Sequence, residues 1–480
     1  MIKTAAILFL CCVSCVSSFS ANKLDKENLA QALTKYDDFS TFYGGAAPVK
    51  KDGRWGLIDK SGKEITPCIY VEIKNEIDDD DLGDWAGLAI VRKDDKYGII
   101  DKTTGKEITP CIYDWVDEYV CEGFIRVHKD DKYGFVDKKG KKVVPCIYDS
   151  VENFSEGFAL VRIDDFYGVI DKKGKMIAPF IYNIDIAYPG FSEGLVLLYK
   201  EIGATEYSRG KLKCGFVDKT GKEVIPFIYD YETASFSDGM ARVKKDGKYG
   251  FIDKTGKEAI PFIYDYGTAS FSDGIASVAK NGKYGLIHKT GKEIISCIFD
   301  KNDIQSYSFE GMREFNRAGK HGYFDKTGKE VIPCIYNGTG FFSNGVVAVR
   351  KRGLWGYINK SGKEVIPFIY NAAYDFSKEC NLAEVGKNGK SGYVNKRGKE
   401  VVPCVYDYVY GFCNGIAVVQ RNNRFGFVNK KGKEIIPCIY TSFGYFSDGL
   451  ALVEKDGVKG YVDKQGNFIY PGGVDKSKKK

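Results

Sequence analysis

Cysteine is the residue with the greatest chemical potential in this sequence, and its spacing predicts a packing role. The chain has 14 cysteines, and many of them recur at one position of a repeated segment. Phenylalanine occupies that position in other copies, as at Phe180 and Phe262, so the position is predicted to be buried and apolar. Disulfides between adjacent copies are the alternative, because equivalent residues could lie one strand spacing apart. The cysteines at this position are Cys68, Cys111, Cys146, Cys297, Cys334, Cys404 and Cys438.

The other reactive side chains form no recognisable catalytic or metal site. The three histidines, His128, His288 and His321, fall at different places in the repeat, without a nucleophile motif nearby. No Cys-x-x-Cys follows the N-terminal segment, which argues against zinc. The recurring Thr-Gly-Lys is typical of a hairpin turn and lacks the rest of a phosphate-binding loop. We therefore expect no enzymatic activity, no metal site and no cofactor.

Two insertions interrupt the repeat. The first, NEIDDDDLGDW at 75–85, contains Asp78, Asp80 and Asp84. A solvated loop is one interpretation and calcium binding is the other, although the spacing matches no EF-hand. The second insertion spans 184–213, and long loops on a regular scaffold often carry binding specificity. An enzyme site on this second insertion is a further alternative.

A tyrosine recurs at one offset of the repeat, and we call this set the tyrosine ladder. Aromatic rings at regular spacing could stack on sugar rings or hold an extended polymer. The alternative is that each tyrosine closes the core of its own repeat and leaves its hydroxyl at the rim. The candidate binding residues are Tyr148, Tyr182, Tyr229, Tyr264, Tyr336, Tyr370, Tyr406 and Tyr440.

These side chains are positioned by a repeat of mostly 34 to 37 residues, which is marked by an aromatic residue followed by glycine. A fixed period in this range predicts a repeat architecture in which single units cannot bury their own apolar faces. The step glycines are Gly56, Gly98, Gly134, Gly168, Gly215, Gly250, Gly285, Gly322, Gly356, Gly392, Gly426 and Gly460.

Each repeat is predicted to contain three short strands in a continuous antiparallel meander. Tyr249 to Asp253 forms the first strand, and Pro261 makes the second an edge or bulged strand because proline cannot donate to a ladder. Asn281-Gly282 predicts a tight hairpin after the third. Lys23 to Tyr36 is the one segment with a helical pattern, and it precedes the repeats.

The steps Trp55-Gly56 and Trp355-Gly356, followed by DKSGKEITPCIY and NKSGKEVIPFIY, resemble the WG-repeat family of bacterial proteins. The resemblance covers roughly 47–470 and implies an all-β repeat array, with no assigned activity for most members. We predict an all-β tandem array of about twelve three-stranded antiparallel repeats that form an open solenoid or superhelix. One or two β-propeller-like rings are the alternative.

The ends of the chain predict an exported protein. Residues 1–20 have the charged start and short apolar run of a signal peptide. Cys12-Val13-Ser14-Cys15 resembles a relaxed bacterial lipobox, so lipidation at Cys15 is an alternative to plain secretion. We assign 21–46 to a short helical spacer or cap, 47–470 to the array and 471–480 to a basic, disordered tail. The expected location is the periplasm, the cell surface or the medium, with a membrane contact only through a lipid at Cys15.

The charge distribution limits the kinds of partner that the chain is expected to bind. The net charge is +7, but Lys3 and the basic tail supply more than half of it. Roughly +3 remains for the body, which is too weak a field to predict nucleic-acid binding. We expect a non-catalytic scaffold that binds a cell-envelope polymer or protein through a repetitive aromatic face. A structural or adhesive surface component without a discrete ligand site is the alternative.

Overall fold

A computed structural model describes residues 24–74, 78–79, 87–183, 190–203, 210–230, 234–267, 271 and 273–476. These residues contain one helix, α1 (Lys26–Leu33), and 48 strands in twelve sheets, numbered here in chain order. The chain forms two compact units. Unit 1 comprises the described parts of 1–147, 389–393 and 400–480, and unit 2 comprises those of 148–388 and 394–399. Cys15 and the predicted signal peptide lie outside the described residues.

The first five sheets lie in the first half of the chain. Sheet 1 contains β1 (Asp38–Phe39), β2 (Ala46–Lys51), β3 (Arg54–Asp59) and β4 (Glu64–Tyr70). Sheet 2 contains β5 (Glu72–Lys74), β7 (Leu88–Lys93), β8 (Lys96–Asp101) and β9 (Glu107–Tyr113). The intervening strand β6 (Asp78–Asp79) belongs to sheet 3. Sheet 3 continues with β10 (Trp115–Cys121), β11 (Phe124–Lys129), β12 (Lys132–Asp137) and β13 (Lys142–Tyr148). Sheet 4 contains β14 (Ser150–Val151), β15 (Phe158–Ile163), β16 (Phe166–Asp171) and β17 (Met176–Tyr182). Sheet 5 contains β18 (Leu195–Ile202), β19 (Lys211–Asp218) and β20 (Glu223–Asp230).

The next four sheets follow in unit 2. Sheet 6 contains β21 (Phe236–Ser237), β22 (Met240–Lys245), β23 (Lys248–Asp253) and β24 (Glu258–Tyr264). Sheet 7 contains β25 (Tyr266–Gly267), β26 (Ile275–Lys280), β27 (Lys283–His288) and β28 (Glu293–Phe299). Sheet 8 contains β29 (Arg313–Arg317), β30 (Lys320–Phe324) and β31 (Glu330–Tyr336). Sheet 9 contains β32 (Gly338–Thr339), β33 (Val346–Lys351), β34 (Leu354–Asn359) and β35 (Glu364–Tyr370).

Three sheets complete the chain. Sheet 10 contains β36 (Ala372–Ala373), β37 (Leu382–Lys387), β38 (Lys390–Asn395) and β39 (Glu400–Tyr406). Sheet 11 contains β40 (Tyr408–Cys413), β41 (Ile416–Arg421), β42 (Arg424–Asn429) and β43 (Glu434–Tyr440). Sheet 12 contains β44 (Ser442–Phe443), β45 (Leu450–Lys455), β46 (Val458–Asp463), β47 (Phe468–Tyr470) and β48 (Gly473–Asp475). Among all these described elements, no helix has the length and apolar character needed to span a bilayer.

The typical sheet has four antiparallel strands in chain order, which we call A, B, C and D. Strands B, C and D are the three predicted strands, and the short strand A was not predicted. The expected continuous meander is wrong, because the chain leaves one sheet after strand D and enters the next. Asp265, the residue after strand D of sheet 6, already donates its N–H to the carbonyl of Ala279 in sheet 7, at 2.8 Å. A four-stranded antiparallel sheet of this order is the unit of a β-propeller.

Glycine at the aromatic-Gly step lets strand D approach strand C closely. A Cβ on Gly250 would lie 2.7 Å from the carbonyl oxygen of Ile260, beside Pro261. The pairing register of strands C and D shifts at this point, and strand D is the sheet edge, as Pro261 predicts. A Cβ at any of the twelve step glycines would lie 2.5–2.9 Å from a strand D carbonyl oxygen. Any larger residue would therefore push strand D away.

The predicted hairpin turn between strands B and C is confirmed. Asn281 and Gly282 have φ of 53° and 74°, as a two-residue turn between twisted strands requires. Lys280 pairs with Lys283 across this turn.

In unit 2, successive sheets are joined by a recurring polar link. Glu193 lies in the turn before β18 of sheet 5, and its carboxylate accepts the N–H of Gly239 in the A–B turn of sheet 6 at 3.1 Å. The same carboxylate pairs with Lys254 Nζ of sheet 6 at 2.9 Å. The equivalent residues are Glu156, Gly194 and Lys219 between sheets 4 and 5, and Glu310, Gly345 and Lys360 between sheets 8 and 9.

In unit 1, the same link joins the last sheet to the first. Asp448 of sheet 12 accepts the N–H of Gly45 in sheet 1 at 2.8 Å and pairs with Lys60 at 3.5 Å. The hydroxyl of Tyr461 in sheet 12 also donates to the carbonyl of Ser40. The ring-like alternative predicts a contact between the first and last sheets. In an open array these two sheets would be separate.

Helix α1 packs where these two sheets meet. Asp25 caps the helix by accepting the N–H of Asn28 at 3.0 Å. Leu29 and Leu33 are fully buried in one apolar cluster with residues of sheets 1 and 12. The helix that the sequence predicts is therefore confirmed, and it covers both ends of the array.

Two glycines of sheet 11 allow a test of whether the fold requires the close approach of strand D to the glycine of the aromatic-Gly step. A Cβ on Gly426 would lie 2.7 Å from backbone atoms of strand D, whereas a Cβ on Gly411 would meet no atom within 4 Å. We expect Gly426→Ala to lower the free energy of unfolding by about 1–3 kcal/mol through overpacking. Gly411→Ala should change it far less. Urea unfolding of both variants checks this, and equal stabilities would contradict it.

Candidate functional site

The tyrosine ladder lies in the core and not on the surface. All eight candidate residues are at most 8% exposed. Tyr182, Tyr229 and Tyr336 stack on a phenylalanine of strand D of the following sheet. The ring centroids of Tyr229 and Phe262, for example, are 6.0 Å apart. Burial raises the pKa of ladder hydroxyls such as Tyr148 and Tyr264. The ladder therefore does not form an exposed aromatic face. Its members are Tyr148, Tyr182, Tyr229, Tyr264, Tyr336, Tyr370, Tyr406 and Tyr440.

The ladder is buried because of the alternation along strand D. In β35, Ile366, Phe368 and Tyr370 face inwards, whereas Ile369 is 41% exposed. Phe368 occupies the Cys/Phe position, which the sequence analysis predicts to be buried, and Tyr370 lies two residues further on the same face. This period of two is the signal that could have placed the ladder in the core.

The cysteines of strand D lie over the step glycine, as a packing role predicts, but their position is half-buried and not buried as expected. Cys334 Sγ would be 3.0 Å from a Cβ on Gly322. Cys68 Sγ reaches across to the carbonyl oxygen of Val49 on strand B, at 3.6 Å. None of the eleven cysteines of the described residues forms a disulfide. Burial raises the pKa of the Cys438 thiol to about 11, which disfavours the reactive thiolate.

Exposed aromatic residues instead follow the ladder tyrosine, in the segment between strand D and strand B of the next sheet. Tyr374 is 58% exposed and follows the buried Tyr370 by four residues. Tyr408 is 62% exposed and follows Tyr406 by two. The sequence alone does not reveal this set, because its position within the segment varies from repeat to repeat. Other members are Trp115, Tyr119, Tyr266, Phe341 and Tyr445.

In unit 2, three exposed rings of sheets 8 and 9 are in mutual contact, and we call them the aromatic patch. Tyr307, Phe309 and Phe341 are 46%, 37% and 42% exposed. The centroids of Phe309 and Phe341 are 4.4 Å apart, and those of Tyr307 and Phe309 are 5.5 Å apart. The rings border a shallow depression whose floor includes Met312 and Glu314. The patch offers an apolar surface with polar groups at its margin.

Buried polar groups fix the backbone beneath the patch. Asp375 of the next sheet accepts the N–H of Phe341 at 3.0 Å. The hydroxyl of Tyr323 donates to the carbonyl of Gly340 at 2.9 Å, and that of Tyr357 to the carbonyl of Tyr374 at 2.7 Å. Side chains of sheets 8 and 10 thus hold the backbone at Gly340 and Phe341, which limits the conformational entropy that binding to the patch would cost.

Two carboxyl groups have unusual acidities: Asp375, which contacts the patch, and Glu384 on strand B of sheet 10. Burial raises the pKa of Asp375 to about 6, although the N–H of Phe341 opposes the shift. Burial alone raises the pKa of Glu384 to about 7. No lysine, arginine or histidine among the described residues forms an ion pair with either group. Both carboxyl groups therefore change charge near neutral pH.

A second group of aromatic rings lies in unit 1, at sheets 11 and 12. Phe443 is 4.9 Å from Tyr410 and 4.7 Å from Phe425, measured between ring centroids. Tyr445 extends the group outwards and is 45% exposed. Contacting rings from neighbouring sheets thus recur in both units.

The predicted insertions contribute little to this arrangement. Asp78 belongs to the two-residue strand β6, while Asp80 and Asp84 lie outside the described residues. The second insertion extends strands B and C of sheet 5 to Ile202 and Lys211, and 184–189 and 204–209 are not described. Across the described parts of the chain, no group of three His, Cys, Asp or Glu side chains has the geometry of a metal site.

A family profile described as "WG containing repeat" matches twelve segments of the chain. They are 34–55, 55–97, 97–133, 133–165, 167–197, 215–249, 249–284, 284–312, 322–355, 355–390, 392–425 and 425–458. No curated protein sequence matches the chain.

Solved structures resemble the chain only distantly. A eukaryotic initiation factor is 8% identical with a TM-score of 0.34, over 65% of this chain and 92% of that one. The GH74 enzyme of Niastella koreensis is 10% identical with a TM-score of 0.24, over 92% and 85%. PorZ, a surface component of the type-IX secretion system of Porphyromonas gingivalis, is 11% identical with a TM-score of 0.20, over 88% and 68%. TM-scores this low support no statement about function.

The raised pKa of Glu384 predicts a pH dependence of stability. The buried carboxyl binds its proton more tightly when folded, so stability should fall as pH rises from the unfolded pKa, near 4.5, to about 7. Glu384→Gln should weaken this fall and make the protein more stable than the wild type above pH 7. Urea unfolding at a series of pH values checks this, with the exposed Glu364→Gln as control. Identical pH profiles for wild type and Glu384→Gln would contradict it.

Proposed function

Because the chain belongs to the WG containing repeat family, we propose that it is an exported, non-catalytic repeat scaffold that binds a cell-envelope polymer or protein through exposed aromatic side chains. The aromatic patch is the observation that carries this proposal. Export is supported by the signal-peptide pattern of the first 20 residues.

The patch has the properties of a recognition surface. Contacting exposed rings are unusual on a protein surface, because each exposes apolar area that solvent disfavours. Aromatic side chains provide large contact areas with few rotatable bonds, so they lose little entropy on binding. Tyr307 adds a hydroxyl that can bind a polar group of the partner.

The arrangement suits an extended partner better than a small molecule. The depression at the patch is shallow, and its rings come from sheets 8 and 9. Tyr374 on sheet 10 continues the exposed aromatic positions along the chain. A polymer can contact several such positions at once, which multiplies weak single contacts.

Binding to isolated cell-wall material tests the proposal. The full mature chain should co-sediment saturably with this material and not with mock beads. We expect Tyr307→Ala combined with Phe341→Ala to weaken binding at least ~10-fold, since one aromatic stacking contact contributes about 0.5–1.5 kcal/mol. The unfolding midpoint should hardly change, because both rings are exposed.

Phe166→Ala is the matched control. Phe166 is 43% exposed, lies in unit 2 and is outside the aromatic patch. Its loss removes a comparable apolar area and should leave binding unchanged. Equal binding by the wild type and the double variant would contradict the proposal, as would an equal loss with Phe166→Ala.

A further inference from the structure

A cavity in unit 1 is lined by residues of the first three sheets, and we call it the sheet 1–3 cavity. Its volume is about 390 Å³, which falls within the range of roughly 300–1,000 Å³ that small-molecule sites occupy. The function proposed above makes no use of this cavity, because the aromatic patch lies in unit 2. The cavity lining includes Ser40, Thr41, Trp55, Ile73, Lys74 and Glu118.

Two hydroxyl groups of the lining come from a segment whose backbone is fixed. Ser40 donates its N–H to the carbonyl of Pro48 at 2.9 Å, and its own carbonyl accepts the hydroxyl of Tyr461. Within the described part of the chain, no group bonds to the side-chain hydroxyl of Ser40 or of Thr41. Each hydroxyl can both donate to a ligand and accept from it. Because the backbone is already ordered, these contacts cost little additional entropy.

Trp55 supplies the aromatic surface of the cavity. It lies on strand C of sheet 1, is half-buried, and pairs with Lys50 and Tyr70 of the flanking strands. The ammonium group of Lys50 lies 5.5 Å from the centre of the indole ring and does not belong to the cavity lining. No described residue accepts the indole N–H. An aromatic ring with an N–H donor at its edge suits a ligand that has both an apolar face and hydroxyl groups.

The charged groups of the lining neutralise each other. Lys74 of sheet 2 forms an ion pair with Glu118 of sheet 3, and its ammonium group also lies 5.8 Å from the ring centre of Tyr97. An anionic ligand would compete with Glu118 for this ammonium group, and a cationic ligand would compete with Lys74 for the carboxylate. The cavity therefore favours a neutral ligand.

We infer that the sheet 1–3 cavity binds a neutral sugar of one or two rings. A sugar ring has an apolar face of C–H groups, which can pack on the indole of Trp55. Its hydroxyls can bond to Ser40 and Thr41. The carboxylate of Glu118 can accept a further hydroxyl, and such charge-assisted hydrogen bonds are stronger than neutral ones. This site is separate from the aromatic patch and does not rest on polymer binding there.

The equivalent place in sheet 9 shows which groups distinguish this cavity. Trp355 occupies the same position of strand C as Trp55. The two hydroxyls and the ion pair found around Trp55 are not repeated there. The counterparts of Ser40, Thr41 and Lys74 are Gly340, Phe341 and Tyr374.

Calorimetric titration of the full mature chain tests this inference. The neutral probes are maltose, cellobiose and N,N′-diacetylchitobiose at millimolar concentrations, and digalacturonate and adenosine are the comparison ligands. At least one neutral disaccharide should bind saturably, and more tightly than either comparison ligand. Trp55→Ser should weaken this binding at least ~10-fold, because tryptophan often carries a large share of a binding energy. The fold should accept the exchange, since Ser391 occupies this position in sheet 10.

A second variant keeps the shape of the cavity. Thr41→Val replaces the hydroxyl with a methyl group of similar size and should weaken disaccharide binding about 2–10-fold, the contribution of one hydrogen bond. Unfolding midpoints close to that of the wild type should accompany both losses. Unchanged affinity in both variants would overturn the inference.

Trp355→Ser is the matched control, because it makes the same exchange at the same strand position of another sheet. It should alter disaccharide affinity less than about twofold, since distant sites act independently. Failure of all three neutral disaccharides to bind, tighter binding of digalacturonate or adenosine, or equal losses in Trp55→Ser and Trp355→Ser would each overturn the inference. Loss of disaccharide binding in the Tyr307→Ala, Phe341→Ala variant would also overturn it. Loss of only cell-wall binding in that variant would support two separate sites.

Discussion

The whole fold depends on one steric constraint, which is the absence of a side chain where strand D crosses strand C. The bulge at the strand D proline brings a carbonyl oxygen within 2.5–2.9 Å of the place a Cβ would occupy. The space above the glycine is filled by a cysteine or phenylalanine of strand D. Two residues later, the ladder tyrosine packs against the next sheet. The aromatic residue before the glycine is Trp55, Tyr249 or Phe425 in different sheets. Each of these residues pairs with the tyrosine at the ladder position of its own sheet, so different aromatic side chains fit this place.

Polar links between sheets determine which surfaces are left for a partner. The acid of the A–B turn and the lysine that pairs with it join successive sheets, and the Asp448 link repeats this between sheets 12 and 1. With the ladder in the core and these groups paired, the aromatic residues after strand D stay exposed, beside strand D residues such as Ile369. The proposed polymer site uses these aromatic residues.

Much of the fold could be predicted from the sequence, because the period, Pro261 and Asn281-Gly282 mark strands and turns through local sterics. Strand A could not be predicted from the sequence. Its copies, such as Ala372–Ala373 and Tyr266–Gly267, share no sequence pattern and pair with strand B only through backbone atoms. The sequence left two alternatives for the tyrosine ladder, a binding face or the core of each repeat, and the alternation from Phe368 to Tyr370 favours the core. The aromatic patch depends on contacts between Phe309 and Phe341 of different repeats, which no single-repeat pattern contains.

The central claim is that neighbouring aromatic residues have opposite roles: the ladder builds the core and the residues after it form the surface. Hydroxyl-radical footprinting of the folded chain, with oxidation read residue by residue, tests this most directly. Tyr374 and Tyr408, at 58% and 62% exposure, should be oxidised much faster than Tyr370 and Tyr406, at 1% and 3%. Equal oxidation within either pair, or faster oxidation of the ladder residues, would contradict the account.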